Sequence, residues 1–129
     1  MQLAHTSSCA SHAASMQITA KCQYLVSEIN EILETSLGDH PSFDMLASAF
    51  KMSGRTLRRQ LANAGTSYQK LVDNFRRDHA IECLKNTGMS TEDIAECLGF
   101  SDVANFRHAF KKWVGQSPAA YRARVHQAA

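Results

Sequence analysis

Residues 90–118 read STEDIAECLGFSDVANFRHAFKKWVGQSP, and this stretch decides the predicted fold. It opens with hydroxyl and acidic side chains, which favour a helix N-terminus, and continues with apolar residues at helical spacing. Gly99 predicts the end of this helix, because glycine adopts a left-handed conformation without strain. Asp102 is expected to cap the next helix. The buried stripe of that helix is predicted to consist of Phe106, Phe110 and Trp113. Two short helices joined by a tight turn indicate a helix-turn-helix.

A second copy of this pattern lies earlier in the chain. Its first helix is offset by 48 residues from that of residues 90–118, and its second helix by 49 residues. Leu46, Ala47 and Phe50 repeat the spacing of Ile94, Ala95 and Leu98. Ser42 and Ser53 are expected to cap the two helices of this copy, while Leu57 and Leu61 take the places of Phe106 and Phe110. The repeat predicts a first helix-turn-helix over residues 41–66.

Between the copies, residues 67–87 have helical periodicity and predict a long connecting helix. Twenty residues of helix span about 30 Å, close to the roughly 34 Å between successive major-groove faces of B-DNA. Residues 88–126 contain the second helix-turn-helix and a last helix, which we expect to start at Ser117 and Pro118.

The N-terminal third differs in composition from the rest of the chain. Residues 1–17 are small and polar without periodicity, which predicts a disordered arm or linker. Residues 18–40 predict an acidic helix that packs against the first helix-turn-helix and stops at Gly38. Its predicted apolar stripe is Cys22, Leu25, Ile29, Ile32 and Leu33.

The formal net charge is +2, but the charges are unevenly distributed. Residues 1–40 carry one base and four acids, whereas residues 41–129 carry 13 bases and 8 acids. A basic segment of this kind suits a polyanionic partner. The chain has no run of 18 apolar residues and no signal-peptide pattern, so we expect no membrane span or secretion signal. The four scattered cysteines favour a reduced, cytoplasmic setting over a disulfide framework.

Catalytic and metal-binding patterns are weak. Cys9 and His12 have a ligand-like spacing, but no second pair follows at a suitable distance for a structural zinc site. His40, His79, His108 and His126 lack a cysteine or serine partner at a motif spacing, and no phosphate-binding glycine loop is present. We therefore predict no enzyme activity, no metal and no cofactor. The stronger alternative to DNA binding is a protein–protein interaction module built on helix-turn-helix units, which predicts no salt-dependent binding to duplex DNA.

Three motifs together are specific enough to indicate a family. The strongest is I-A-x-x-L-G-F-S-D-x-x-x-F-x-x-x-F-K-K-x-x-G-x-S-P-x-x-Y-R, from Ile94 to Arg122. The second is L-A-x-x-x-x-M-S-x-x-x-L-x-R-x-L, from Leu46 to Leu61, and the third is Arg76, Ala80 and Leu84 at four-residue steps. Residues 43–125, about two thirds of the chain, resemble the DNA-binding domain of AraC/XylS-type bacterial transcription regulators.

The resemblance implies an all-α fold of about seven helices, with two helix-turn-helix subdomains joined by a long central helix. It implies sequence-specific binding to double-stranded promoter DNA, with two recognition helices in adjacent major grooves of an asymmetric site of about 20 base pairs. It also implies a cytoplasmic transcription regulator, expected as an activator with repression left open, and RNA polymerase as its protein partner. Dimerisation and contact with that polymerase are both open roles for the acidic helix of residues 18–40. Family members usually carry an effector domain before this one. We expect that domain to be absent from this chain, which then resembles the C-terminal part of a longer regulator or a short stand-alone member.

The second helix of each motif, termed the reading helix below, carries the residues expected to contact DNA. The base-contact candidates are Arg55, Arg58 and Arg59 in the first copy and Val103, Ala104, Arg107 and His108 in the second. The phosphate-contact candidates are Ser42, Ser67, Ser101, Lys111, Lys112 and Arg122. Many family members have arginine where His108 stands, so the second reading helix is chemically modest. Arg76 is expected to act as a structural clamp between the two halves.

Overall fold

The computed structural model describes the backbone of residues 10–128 and the side chains of residues 21–127. This part of the chain is all-α and contains seven helices, which confirms the predicted fold class. They are α1 (Ala10–Thr35), α2 (Phe43–Ala49), α3 (Gly54–Asn63), α4 (Tyr68–Asn86), α5 (Thr91–Cys97), α6 (Val103–Val114) and α7 (Pro118–Ala128). None of these helices combines the length and apolar character that crossing a bilayer requires.

Backbone packing divides the chain into two compact units. The first consists of Met1–Ile32 and Ser42–Leu71. The second consists of Leu33–Pro41 and Val72–Ala129. Each unit therefore contains one helix-turn-helix, α2–α3 in the first and α5–α6 in the second. The sequence prediction attached all of residues 18–40 to the first copy, whereas residues 33–41 group with the second.

Helix α1 begins at Ala10, so it starts well before the predicted position at residue 18. Residues 10–17 contain alanine, methionine and glutamine without glycine or proline, and this composition supports a helix. The prediction relied on apolar periodicity, which a helix does not require. The rest of the predicted arm, residues 1–9, lies outside the described part of the chain, as do the side chains of Cys9 and His12.

Side-chain caps start the helices after α1. In the first copy the Ser42 hydroxyl accepts from the Met45 N–H at 3.2 Å, and Ser53 accepts from Thr56 at 3.1 Å. The other caps are Ser67 on Lys70, Ser90 on Asp93, Asp102 on Asn105 and Ser117 on Ala120. Each satisfies an N–H group that has no partner within the helix, so these short polar residues set the helix starts. The predicted caps at Ser42, Ser53, Asp102 and Ser117 are confirmed.

The turns of the two copies have the same backbone geometry. The Phe100 N–H donates to the Ala95 carbonyl at 3.0 Å, and the Met52 N–H donates to the Ala47 carbonyl at the same distance. The residue before each donor is left-handed, with φ of 84° at Gly99 and 58° at Lys51. The predicted repeat is therefore present at the level of individual hydrogen bonds.

In the second unit the turn lies directly against the end of α1. Gly38 and Gly99 both have positive φ, and their backbones are in contact. A Cβ atom on Gly99 would overlap the Gly38 carbonyl oxygen, and a Cβ on Gly38 would overlap the Cys97 carbonyl. Glycine is therefore required at both positions for space as well as for conformation.

Each unit has its own buried cluster. In the first unit the buried side chains are Cys22, Leu25, Ile29, Leu46, Ala47, Leu57, Leu61 and Leu71. In the second they include Ala80, Cys83, Leu84, Ile94, Ala95, Leu98, Phe106 and Phe110, with Trp113 and Tyr121 packed against them. The predicted stripes of α1, α3 and α6 face these clusters, as apolar periodicity indicated.

Arg76 clamps elements within the second unit. Its Nε donates to the Leu98 carbonyl at 3.2 Å, and its guanidinium lies 4.5 Å from the centre of the Phe100 ring. Burial lowers the pKa of Arg76. The sequence prediction had this residue joining the two halves, but these contacts tie α4 to the α5–α6 turn.

Candidate nucleic-acid interface

The reading helix of the first copy, α3, has one strongly basic exposed face. Arg55, Arg58 and Arg59 are exposed, while Leu57 and Leu61 on the opposite side are buried. The helix contains no acidic residue, and its cap, Ser53, is neutral. Guanidinium groups on an exposed helix face suit both bidentate bonding to guanine and contact with phosphate.

Arg58 rests on an aromatic side chain of α2. Its guanidinium carbon lies 5.0 Å from the centre of the Phe43 ring, within the range of a cation–π interaction. The Phe43 ring tilts against Tyr68 with a centroid separation of 6.2 Å. It also covers Gly54, where an added Cβ atom would lie 3.3 Å from the ring. The missing side chain at Gly54 thus makes room for the ring that supports Arg58.

Arg59 lines a groove between α3 and α1. The groove has a volume of about 280 Å³ and is bordered by Lys21, Cys22, Thr56, Arg59, Gln60 and Asn63. Lys21 is the single base among residues 1–40, and the sequence prediction did not consider it for DNA contact because the helix is acidic overall. Its place beside Arg59 adds a positive charge to the basic face of the first unit.

The reading helix of the second copy, α6, presents fewer groups. Ala104 and His108 are exposed, but Val103 is half-buried and packs against the apolar cluster of the second unit. Only the exposed part of Val103 is left for the predicted thymine contact, which stays a prediction. Arg107 is exposed and forms an ion pair with Glu92 of α5, with a distance of 3.6 Å between Nη2 and Oε2.

The N-terminus of α6 is capped by an anion. The Asp102 carboxylate accepts from the Asn105 N–H at 2.7 Å, and the Asn105 side-chain amide donates to the Ser101 hydroxyl at 3.1 Å. A carboxylate at this position repels phosphate, so the predicted phosphate contact by Ser101 is disfavoured. Asn105 itself is exposed on the reading helix and was not among the predicted contacts.

Two of the remaining phosphate candidates have side chains that are exposed to solvent. Lys111 and Lys112 are exposed in the last turn of α6. Ser42 and Ser67 use their hydroxyls as helix caps, which leaves their helix N-termini as the groups that can face an anion. The N-terminus at Ser67 opens a helix of 19 residues, whereas Ser42 opens one of 7, so Ser67 is the stronger candidate.

Arg122, one of the predicted phosphate contacts, forms hydrogen bonds to backbone carbonyls of α4. Its Nε donates to the Leu84 carbonyl at 3.2 Å, and its Nη2 donates to the carbonyls of Cys83 and Thr87 at 3.3 and 3.1 Å. These are carbonyl groups at the C-terminal end of α4, where a cation is favoured by the helix dipole. Arg122 therefore ties α7 to α4.

Two residues that contact the candidate arginines, Phe43 and Glu92, were missed by the sequence prediction. Each lies in the first turn of the first helix of its motif, remote in sequence from the arginine that it touches. No local sequence pattern predicts such pairs, because they form only when the two helices of a motif pack against each other. Among the described side chains, no group of three potential metal ligands comes together.

Comparison with known proteins agrees with this geometry. The helix-turn-helix domain family model matches residues 46–124. The ornithine utilization regulator of Pseudomonas aeruginosa is 40% identical over 98 residues, which cover 76% of this chain and 29% of that protein. The chain thus spans less than a third of the length of this curated relative.

Two solved structures share the fold. An AraC-type DNA-binding domain regulator from Chromobacterium violaceum has a TM-score of 0.75 at 26% identity, covering 84% of this chain and 97% of that one. The DNA-binding domain of AdpA, a global transcriptional factor crystallised with a target DNA, has a TM-score of 0.68 at 29% identity, covering 77% and 90%. With its family model, its repeated motif and its two basic reading helices, the chain belongs to the AraC-type family of helix-turn-helix DNA-binding domains.

Proposed function

We propose that the chain binds double-stranded promoter DNA in a sequence-specific manner and thereby regulates transcription, with α3 and α6 in adjacent major grooves. The single observation that carries this proposal is the exposed triad of Arg55, Arg58 and Arg59 on α3 of a repeated helix-turn-helix. The structural similarity to a domain crystallised with DNA supports it.

In this proposal the two reading helices contribute unequally to sequence preference. Arg55, Arg58 and Arg59 read bases or bind adjacent phosphates, and α3 supplies most of the sequence preference. Ala104, Arg107 and His108 of α6 make the smaller contribution, since alanine offers only apolar contact and Arg107 is paired with Glu92. Lys111, Lys112 and the N-terminus of α4 at Ser67 bind phosphate.

The proposal extends to the setting of the protein. Promoter DNA lies in the bacterial cytoplasm, so we place the protein there. RNA polymerase is the proposed second partner, and activation is the proposed outcome of its recruitment. The α1 helix offers it a surface on which Tyr24 is 69% exposed.

An interaction module for another protein is the second candidate. The observation that favours it is the exposure of large apolar side chains on the first unit, 69% for Tyr24 and 64% for Met45. The two candidates differ in their response to salt, because counterion release accompanies binding to DNA.

The test is a selection from a pool of randomised duplexes of about 30 base pairs, long enough to span two adjacent major grooves, followed by titration of the selected and a scrambled duplex at two salt concentrations. We expect preference for the selected duplex and a steep loss of affinity between about 50 and 200 mM salt.

The variant Arg58→Ala should lose about 1–3 kcal/mol of binding to the selected duplex and less to the scrambled one. Lys112→Ala should instead weaken both duplexes alike and reduce the salt slope by about one. Binding without sequence preference or salt dependence would reject the proposal in favour of the protein partner.

A further inference from the structure

Arg58 and Arg107 occupy the same position in the two copies, 49 residues apart. Each is held by a residue in the first turn of the preceding helix, Phe43 in α2 and Glu92 in α5. The two holders differ in chemistry, since one is a neutral ring and the other a carboxylate. The same backbone position therefore carries two arginines with different electrostatic surroundings.

The aromatic holder leaves the arginine charged and available. The guanidinium carbon of Arg58 lies over the ring, and this contact occupies none of the N–H groups with an acceptor, so the ring does not compete with guanine for them. The ring at 5.0 Å restricts the rotamers of Arg58, which reduces the entropy lost when the side chain binds a base. Gly54 beneath the ring and Tyr68 beside it keep Phe43 in place.

The carboxylate holder acts in the opposite direction. Glu92 lies against an N–H-bearing nitrogen of Arg107, which is one of the groups that a base or a phosphate would require. Its negative charge also offsets the positive charge of Arg107 near the expected DNA surface. Both side chains are more than half exposed, so the restraint on Arg107 is modest and DNA binding can displace it.

We propose that Phe43 is a positioning residue that prepares Arg58 for base recognition, and that Glu92 restrains Arg107, so that sequence preference is concentrated in the first copy. The inference rests on the proposed function and adds the residues that divide the work between the two reading helices.

The first arm of the experiment measures the ratio of dissociation constants for the scrambled and the selected duplex with the 129-residue chain. Phe43→Leu keeps an apolar side chain but removes the ring, and we expect the ratio to fall by about fivefold to tenfold. Phe43→Tyr restores a ring and should keep the ratio within about twofold of the parent. In an Arg58→Ala background, Phe43→Leu should change the ratio by less than about twofold, because the two residues act as one pair.

A readout without DNA accompanies this arm. The ring of Phe43 should shift the side-chain NMR signals of Arg58 upfield in the parent and in Phe43→Tyr, but not in Phe43→Leu. Thermal unfolding of each variant shows whether the first unit keeps its fold. Two results would overturn the role of Phe43. One is a ratio of dissociation constants that falls as far in Phe43→Tyr as in Phe43→Leu. The other is a fall caused by Phe43→Leu that is equally large in the Arg58→Ala background.

The second arm measures the salt slope of Glu92→Gln. Release of Arg107 should strengthen binding to both duplexes by about threefold to fivefold and steepen the slope by about 0.9, the value for one additional phosphate contact. Glu96→Gln is the matched control, since it removes a charge from the exposed side of the same helix. If the two variants behave alike, or if Glu92→Gln has the same effect in an Arg107→Ala background, Glu92 does not act through Arg107.

The outcomes separate the inference from the proposed function. A parent chain that does not prefer its selected duplex rejects the proposed function and the inference together. A parent that does prefer it, combined with an unchanged ratio in Phe43→Leu or an unchanged slope in Glu92→Gln, overturns the inference alone.

Discussion

The turns of the two helix-turn-helix copies follow one backbone path but use different residues at the left-handed position. Lys51 has φ of 58° in the first copy, and Gly99 has φ of 84° in the second. Gly99 lies against the backbone of Gly38, so a side chain has no room there. Lysine at position 51 carries the strain of a left-handed residue, and its side chain is exposed. The hydrogen-bond pattern therefore sets the conformation, while the neighbouring segment decides which residue can adopt it.

The reading helices show the same contrast between shared geometry and different chemistry. Leu57 and Leu61 are buried in the first copy where Phe106 and Phe110 are buried in the second. The first reading helix has a neutral cap and three exposed arginines, whereas the second has an aspartate cap and an arginine paired with Glu92. We therefore expect stronger electrostatic attraction to DNA at the start of the first reading helix, whereas the second copy has the larger aromatic core.

The largest effect is expected at the glycine contact. Gly99→Ala should destabilise the second unit by about 3–4 kcal/mol, because left-handed strain adds to overlap with the Gly38 backbone. Trp113, the single tryptophan, reports on this unit in urea unfolding followed by fluorescence. Gly115→Ala is the control, since Gly115 has φ of 94° but no neighbour within 4 Å of an added Cβ. Its loss should be near 1 kcal/mol, and equal losses in both variants would show that the contact with Gly38 is unimportant.

Arg122 provides the next largest effect. The helix after the first copy is α4 and the helix after the second is α7. Position 72 of α4 corresponds to position 122 of α7, 50 residues later, and it holds the buried Val72 where α7 has Arg122. Arg122→Ala should reduce the free energy of unfolding by about 1.5–3 kcal/mol, because hydrogen bonds from a charged donor to the end of α4 are lost. The salt slope of DNA binding should stay unchanged. A slope that falls by about one, as expected for Lys112→Ala, would restore the predicted phosphate contact.

The two equivalent arginines should differ in their effect on binding. Arg107→Ala should weaken binding to the selected duplex by less than about 1 kcal/mol, compared with about 1–3 kcal/mol for Arg58→Ala. The reason is that Arg107 must leave Glu92 to reach DNA, whereas Arg58 lies over the Phe43 ring and forms no ion pair with the described acidic side chains. Parallel titrations of both variants measure this difference, and a larger loss in Arg107→Ala would reverse the assignment of the two helices.

The smallest effect is expected at the first turn. Lys51→Gly should stabilise the first unit by roughly 0.5 kcal/mol, because relief of about 1–2 kcal/mol of left-handed strain exceeds the added entropy of the unfolded chain. Native-state hydrogen exchange at the amides of Leu57 and Leu61 reports on this unit. Lys51→Ala retains the strain without the charge and should give no gain. A gain in both variants would trace the effect to the charge instead.

Much of the fold could be predicted because its signals are local. Ser42, Ser53, Asp102 and Ser117 cap the helices that they were expected to cap, and Gly99 ends α5 with positive φ. The start of α1 was predicted too late, since a helix rich in alanine needs no apolar stripe. The basic face of α3 was also predictable, because arginine spacing on a helix determines which side chains share a side.

The sequence by itself determined the helices, their caps, the repeated motif and the arginines of the first reading helix, since each depends on residues within one or two turns of chain. Tertiary structure decided the rest. It turned Arg122 onto the carbonyls of α4, packed Val103 against the core of the second unit and placed Gly38 against Gly99. It also placed Phe43 beside Arg58 and Glu92 beside Arg107. These pairings join residues remote in sequence, and they exist only after the helices have packed.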